Sequence, residues 1–322
     1  MIQLGACVWN FNAGPYRAPY EDAIRAAAKV GFTGAELIIF DENDIRTYFT
    51  SQKVKELKQL ISDVGMSVVQ VDIYDHPVHD LASLNAADKI KAVDNARRCV
   101  DIAAGLGATV LNTVSQWPIE LSAPIPYPPS YIYPDMRGVE KLSSKWTLNL
   151  PRRWNWEEIW DNYVDSIRRC VDIAAAAGLT FSIEGHCHVI VSGTDSMLRL
   201  VDALDGHPNL GFTLDTGWHL RQREYLPMSI HKLGKRLKNL HVRDTDGLLN
   251  YSLPPGQGIV DWGHVVEALL DVGYDGFLSV EMANLKDPSR EFGRAKSYLE
   301  SILEEANRAG RNAGLVGEAV RK

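Results

Sequence analysis

Four residues in the second half of the chain share one setting: Glu184 follows FSI, Asp215 follows FTL, His241 follows KNL and Glu281 follows LSV. Each stands at the end of a short apolar run. Three carboxylates and an imidazole offer mostly oxygen ligation with one nitrogen. That donor set suits Mn²⁺, Mg²⁺, Co²⁺ or Zn²⁺ and lacks the thiolates of a structural zinc site. A lone acidic residue after a strand is more often a helix cap or an ion-pair partner, whereas four in succession at equivalent places point to a shared site.

Other chemically capable residues cluster around these four. His219 lies four residues after Asp215 and is expected to contact substrate. Arg243, two after His241, points into the same mouth under the two-residue period of a strand. It would hold an anionic oxygen there, or else pair with Asp244 or Asp246. His186 and His188 flank Cys187 beyond Glu184, and His186 shares a strand face with Glu184. Asp72 and His76 follow a third apolar run as substrate contacts or caps. Trp9 and Asn10 end the first run, where Trp9 is either an aromatic wall for a substrate ring or core. The PPGQG turn offers glycines beside which backbone N–H groups can approach a substrate oxygen. His264, in the helix that follows, reads as structural.

The elements that must position these groups alternate along the whole chain. Runs such as LGACVWN, GAELIIF, SVVQVDIYD, ATVLNTV, TFSIEGH, LGFTLDT, KNLHVRD and GFLSVEM read as buried strands, and amphipathic stretches between them read as helices. VDNARRCVDIAA (residues 93–104) and VDSIRRCVDIAA (residues 164–175) differ at two positions, and each leads through a glycine into a strand. Such repetition signals a recurring unit. Eight strand–helix units with short connections predict one closed parallel (β/α)₈ barrel, whose active groups gather at the carboxyl ends of the strands. The barrel is expected over residues 1–310, with helices near 51–64, 86–106, 229–236 and 289–308 and a tail at 311–322. Between Ser115 and Asn155 the periodicity stops. Seven prolines there are interleaved with Trp117, Trp146 and Trp154. A long loop of this kind in a compact domain is usually functional or disordered, and the aromatics favour an ordered lid or subunit contact. Trp117, at its head, joins the candidate substrate contacts.

Composition bounds the rest. With 322 residues, 45% of them hydrophobic and 23% charged, the chain can bury a large core. A net charge of −7 argues against a nucleic-acid footprint. The four cysteines form no CxxC pair, so buried reduced thiols are expected. No secretory pattern and no run of roughly 18 apolar residues occurs, which makes the cytoplasm the expected address and a membrane partner unexpected.

The ordered pattern SIEGH, LDTGWH, NLHVRD, PPGQGIVDW and SVEM resembles the xylose-isomerase-like TIM-barrel superfamily, which includes D-tagatose 3-epimerase, hydroxypyruvate isomerase and endonuclease IV. It covers nearly the whole chain and is sharpest in the second half. The resemblance implies that Glu184, Asp215, His241 and Glu281 bind one divalent ion, Mn²⁺ first among the candidates, and that the two glutamates double as acid and base. A sugar isomerase or epimerase follows, working through an enediolate formed beside a metal-polarised carbonyl. Its partners would be a small carbohydrate or glycoside and further copies of the chain.

Three other readings stand beside that one. A lyase of the C-glycoside deglycosidase type would cleave a 3-oxo-glycoside after the same proton abstraction, with this chain as the large subunit beside a small second one. A nuclease like endonuclease IV needs a histidine after the second strand and an Asp-x-His before the glycine turn, and AELIIFDEND and GLLNYSLPPG supply neither. A barrel that only binds a metabolite would have little use for all four ligands.

Overall fold

In the computed structural model, residues 2–12, 17–116, 153–187, 189–247, 252–283 and 285–320 are described, without side chains for residues 75, 76 and 309–320. Eight parallel strands close into a barrel in sequence order. They are β1 (Gln3–Cys7), β2 (Gly34–Ile39), β3 (Ser67–Ile73), β4 (Val110–Val114), β5 (Thr180–Glu184), β6 (Leu210–Asp215), β7 (Leu237–Val242) and β8 (Phe277–Val280). The ring closes where Gln3 to Ala6 pair with Phe277 to Val280. A strand walled by core on one face and helices on the other must be apolar almost throughout, and β2 and β6 are buried at every position.

The helical layer contains all eight expected helices. They are α1 (Glu21–Val30), α3 (Ser51–Asp63), α5 (Ala86–Leu106), α6 (Trp156–Ala176), α7 (Thr194–Ala203), α9 (Leu226–Leu233), α10 (Trp262–Asp271) and α11 (Pro288–Val320). Short helices α2 (Glu42–Thr47), α4 (Asp75–Val78) and α8 (Thr216–Arg221) occupy loops at the carboxyl ends of the strands. Local chemistry explains α2, because the Asp41 side chain caps the backbone N–H groups of Asn43 and Asp44 while Asp44 reaches back to Asp41. Two boundaries differ from expectation. Helix α9 starts at Leu226 because Pro227 suits a first turn. Helix α11 runs on to Val320, beyond the expected end near Arg308, through a stretch without proline.

The two near-identical blocks lie within one residue of the same place on α5 and α6, both 21 residues long. Each helix starts from an asparagine that accepts a hydrogen bond from the first turn, Asn85 from Ala87 N–H and Asn155 from Glu157 N–H. At the end of α5, Gly107 takes a left-handed conformation with φ of 89°. All four cysteines are free and buried.

The Pro-rich insertion lies outside the described residues between 117 and 152, so Trp117 and Trp146 do too. Its ends are anchored. Ser115 Oγ accepts from Val191 N–H at 2.8 Å, Gln116 O accepts from Ile190 N–H at 3.0 Å, and Trp154 packs on the core beside Trp156. Among the described residues no helix is long and apolar enough to cross a membrane.

Candidate metal and sugar site

Register carries the four strand-end residues to one place. Asp215 and His241 are partners across β6 and β7, His241 is level with Ser279 on β8, and Glu184 is level with Thr213 on β6. Glu281 follows β8 directly, its N–H bonded to Val242 O at 3.2 Å. One ligand atom from each of Glu184, Asp215, His241 and Glu281 lies within 4.8 Å of those of the others. His241 Nδ1 stands 3.3 Å from Glu184 Oε2 and 3.6 Å from Glu281 Oε2.

That nitrogen is the informative atom. It is buried and forms no hydrogen bond, whereas the other ring nitrogen, Nε2, lies 3.0 Å from Glu36 Oε2 and 3.2 Å from Gln70 Nε2. A buried imidazole nitrogen left bare and facing three carboxylates matches the lone pair that a divalent ion would take. The four residues therefore fit a metal such as Mn²⁺, Mg²⁺, Co²⁺ or Zn²⁺.

Charge within the cluster is partly met by the chain itself. Arg243 binds Asp215 in a two-pronged pair, Nε to Oδ1 at 3.1 Å and Nη2 to Oδ2, and Nη2 also lies 3.3 Å from Glu281 Oε2. The Arg243 side chain turns into the mouth, as its place two residues after His241 implies, and the alternative pairing with Asp244 or Asp246 is not the one it makes. Burial opposes ionisation of Glu184, yet His241 and His186 outweigh it and hold this carboxyl well below the usual range. Glu281 moves the other way. Its burial raises the carboxyl despite Arg243 and His241, with Asp215 and Glu184 adding repulsion. His241 is buried too, but Glu184 and then Cys7 and Glu36 push it well above the ordinary imidazole value.

The remaining candidates separate. His186 Nε2 is 3.0 Å from Glu184 Oε1, and its ring lies against Trp218 at 4.3 Å between centroids. Trp218 also faces the Arg243 guanidinium at 5.4 Å. Trp9, buried in the core, meets the His241 ring edge-on at 6.4 Å. His219 is fully buried on α8, with Nδ1 bonded to the Asp215 carbonyl at 2.9 Å and Nε2 unbonded. Asp72 lies inside β3 and caps no helix; its Oδ1 accepts from Gln70 at 3.1 Å and from Asn112 at 2.8 Å. Asn112 also donates to Glu184 Oε2 at 3.1 Å. The short helix α4 carries His76, whose side chain lies outside the described residues, as does His188. His264 sits on the exposed side of α10 against Asp261.

The PPGQG turn does different work from that expected. Its Gly256 N–H donates to Asp244 Oδ2 at 2.9 Å, and the same buried carboxylate accepts from Thr245 N–H, Val260 N–H and Trp262 Nε1 at 2.9 to 3.1 Å. These N–H groups bind the loop to its own anchor and are not presented to a ligand.

Glu36, Gln70, Asn112 and Cys7 are parts of the site that motif reasoning passes over. Their signal is an interruption: a polar residue amid an apolar run, as in AELII, VVQV and VLNTV. In a barrel such a residue must face inward and find partners there.

Comparison with known proteins agrees with this architecture. An uncharacterized protein of Methanocaldococcus jannaschii is 29% identical over 164 residues, 48% of this chain and 55% of the relative. D-psicose 3-epimerase of Ruminiclostridium cellulolyticum is 26% identical over 144 residues, 44% of this chain and 47% of the relative. The chain thus spans about half the length of these curated relatives. The crystal structure of D-psicose 3-epimerase with D-tagatose from Clostridium cellulolyticum H10 superposes with a TM-score of 0.73 at 18% identity, over 94% of this chain and 99% of that one, a likeness of fold. The xylose isomerase-like TIM barrel model matches residues 24–302, most of the barrel and all four clustered residues. With the closed eight-stranded ring and that match together, the chain belongs to the xylose isomerase-like TIM barrel family.

Proposed function

We propose that the protein is a divalent-metal-dependent sugar isomerase or epimerase that moves a proton on the carbon beside a carbonyl. Glu184, Asp215, His241 and Glu281 would hold the ion, Mn²⁺ before Mg²⁺, Co²⁺ or Zn²⁺. When bound, the ion polarises the substrate carbonyl and acidifies the neighbouring C–H. One observation carries the reading: the carboxylates of Glu184, Asp215 and Glu281 converge on the buried, unbonded Nδ1 of His241 at the ends of four successive strands.

One of Glu184 and Glu281 would then take the proton as base, and the pair would return it. His186, bonded to Glu184 Oε1, holds that carboxylate in place. Arg243 stabilises negative charge on the substrate oxygen, and Trp218, Trp9 and the His186 ring exclude water from one side. The names of the epimerase relatives support a small sugar as substrate. Proton abstraction is also the first step of the lyase reading, which parts from this one only in whether a group leaves.

Incubation with ketoses and with 3-oxo-glycosides in D₂O tests the proposal. Deuterium should enter beside the carbonyl, and Glu281→Gln should lower kcat by about 10²- to 10⁴-fold with a smaller change in KM. Turnover by direct hydride transfer, with no exchange and no dependence on Glu281, would rule the mechanism out. Release of an aglycone from a 3-oxo-glycoside would decide for the lyase.

A further inference from the structure

We infer that Glu36 is a positioning residue for the metal site: through His241 it determines which ring nitrogen is left free to bind the ion. The inference rests on the proposed metal role of His241.

The geometry is that of a relay. Glu36 projects from the middle of β2 into the barrel and is fully buried. Its Oε2 sits 3.0 Å from His241 Nε2, and its Oε1 accepts from Asn239 Nδ2 at 2.7 Å. Asn239 is in turn fixed, because its own Oδ1 accepts from Ser279 Oγ at 3.3 Å. The carboxylate is therefore held at both oxygens, and no rotation of its side chain is free. Ionised carboxylates only accept, so the ring nitrogen facing Glu36 must carry the hydrogen. In a neutral imidazole the hydrogen then sits on Nε2 and the lone pair on Nδ1. Nδ1 is the atom that faces Glu184 and Glu281 without a hydrogen bond.

Gln70 and Cys7 close the other sides of this arrangement. Gln70 Nε2 lies 3.2 Å from His241 Nε2 and 3.1 Å from Asp72 Oδ1. Of the two neighbours of the ring Nε2, Glu36 Oε2 is the nearer and the only acceptor, so a ring hydrogen there points to Glu36. The amide donates to Asp72, and Glu36 remains the acceptor available to the ring. Cys7 is the register partner of Glu36 across β1 and β2. One ligand atom each from Cys7, Glu36 and His241 lies within 4.8 Å of the others. The Cys7 thiol thus lies close to the Glu36–His241 pair.

Glu36→Gln isolates the effect because it keeps shape and removes the pure acceptor. A glutamine amide must aim its NH₂ at either Asn239 Nδ2 or His241 Nε2. The first choice sets donor against donor. The second turns the ring hydrogen onto Nδ1, where it blocks the lone pair. Outer partners of ligating histidines are worth about 10- to 100-fold in metal affinity.

The experiment is a titration of metal-free protein with Mn²⁺, free ion being read by electron paramagnetic resonance, alongside thermal melts of the same metal-free samples. Glu36→Gln should bind Mn²⁺ about 10- to 100-fold more weakly than wild type while its metal-free melting temperature stays close. Glu36→Asp, which keeps the charge but withdraws the oxygen by one methylene, should also weaken binding and serves if the glutamine variant does not fold. Affinities within twofold of wild type in whichever variant folds would overturn the inference while leaving the four-residue site standing. A wild-type protein that takes up no Mn²⁺ at all would remove the metal reading itself, and this inference with it.

Discussion

A buried carboxyl that keeps its proton behaves as a neutral polar group, and Asp72 is placed to be one. Burial, with Glu36 next, pushes its carboxyl well above the ordinary value, and its Oδ2 is enclosed without a hydrogen bond. An acid whose folded value is raised adds stability below its unfolded value, near pH 4, and that contribution is lost as pH rises through the folded value. Asp72→Asn keeps the acceptor for Gln70 and Asn112 and cannot ionise. The metal-free variant should therefore melt close to wild type at about pH 4 and above it at neutral and alkaline pH. Melting curves across that range check the sign, and a variant less stable than wild type at every pH would contradict it. At this scale the sequence is legible for groups at strand ends and poor for groups inside strands. Glu184, Asp215, His241 and Glu281 stand out because each ends an apolar run. Glu36, Gln70 and Asn112 do not, because only register and barrel closure reveal what they face. His219 shows a further limit: its type and spacing suggest a substrate contact, and what spacing does not show is that its Nδ1 bonds the Asp215 carbonyl while Nε2 stays unbonded.

Elements were read well where period and caps agree, and less well where a loop is ordered by one side chain. α5 was expected at 86–106 and forms over Ala86–Leu106 because Asn85 and Gly107 mark both ends. The turn around PPGQG has no period to read. Its shape comes from Asp244, whose carboxylate gathers donors from three separate stretches. Gly258 lets that packing occur, since a Cβ there would lie 2.1 Å from Thr245 O and 2.2 Å from Asp244 Oδ1. The first is a backbone atom, and the second is pinned by hydrogen bonds from Thr245 N–H and Val260 N–H. Gly258→Ala should cost about 1–3 kcal/mol in chemical denaturation and lower activity by loosening the wall that follows β7. Gly263→Ala on α10 serves as the comparison. Its closest neighbour is Asp261 Oδ1 at 3.4 Å, so helix propensity should leave it neutral or more stable by up to about 1 kcal/mol. Equal losses at both positions would mean that the crowding at Gly258 is not the cause.

For the whole molecule, eight alternating units and one internal repeat were enough to infer the closed barrel, because few topologies bury eight two-faced strands with short connections. The Pro-rich insertion carries no such rule, and its length says little about its path. If the proposed ion binds only the folded chain, free metal at about 100-fold its Kd should add about 2.7 kcal/mol. The melting temperature should then rise with metal concentration and fall back on chelation; a melting temperature indifferent to both would refute the linkage. The pair that Arg243 makes with Asp215, reaching on to Glu281, bears on the order of events in the cell. An internal cation already sits among the acidic side chains and offsets part of their mutual repulsion, so the barrel mouth has a charge partner of its own. An ion bound as proposed would then enter a site already built, unlike a zinc finger, where the metal assembles the domain.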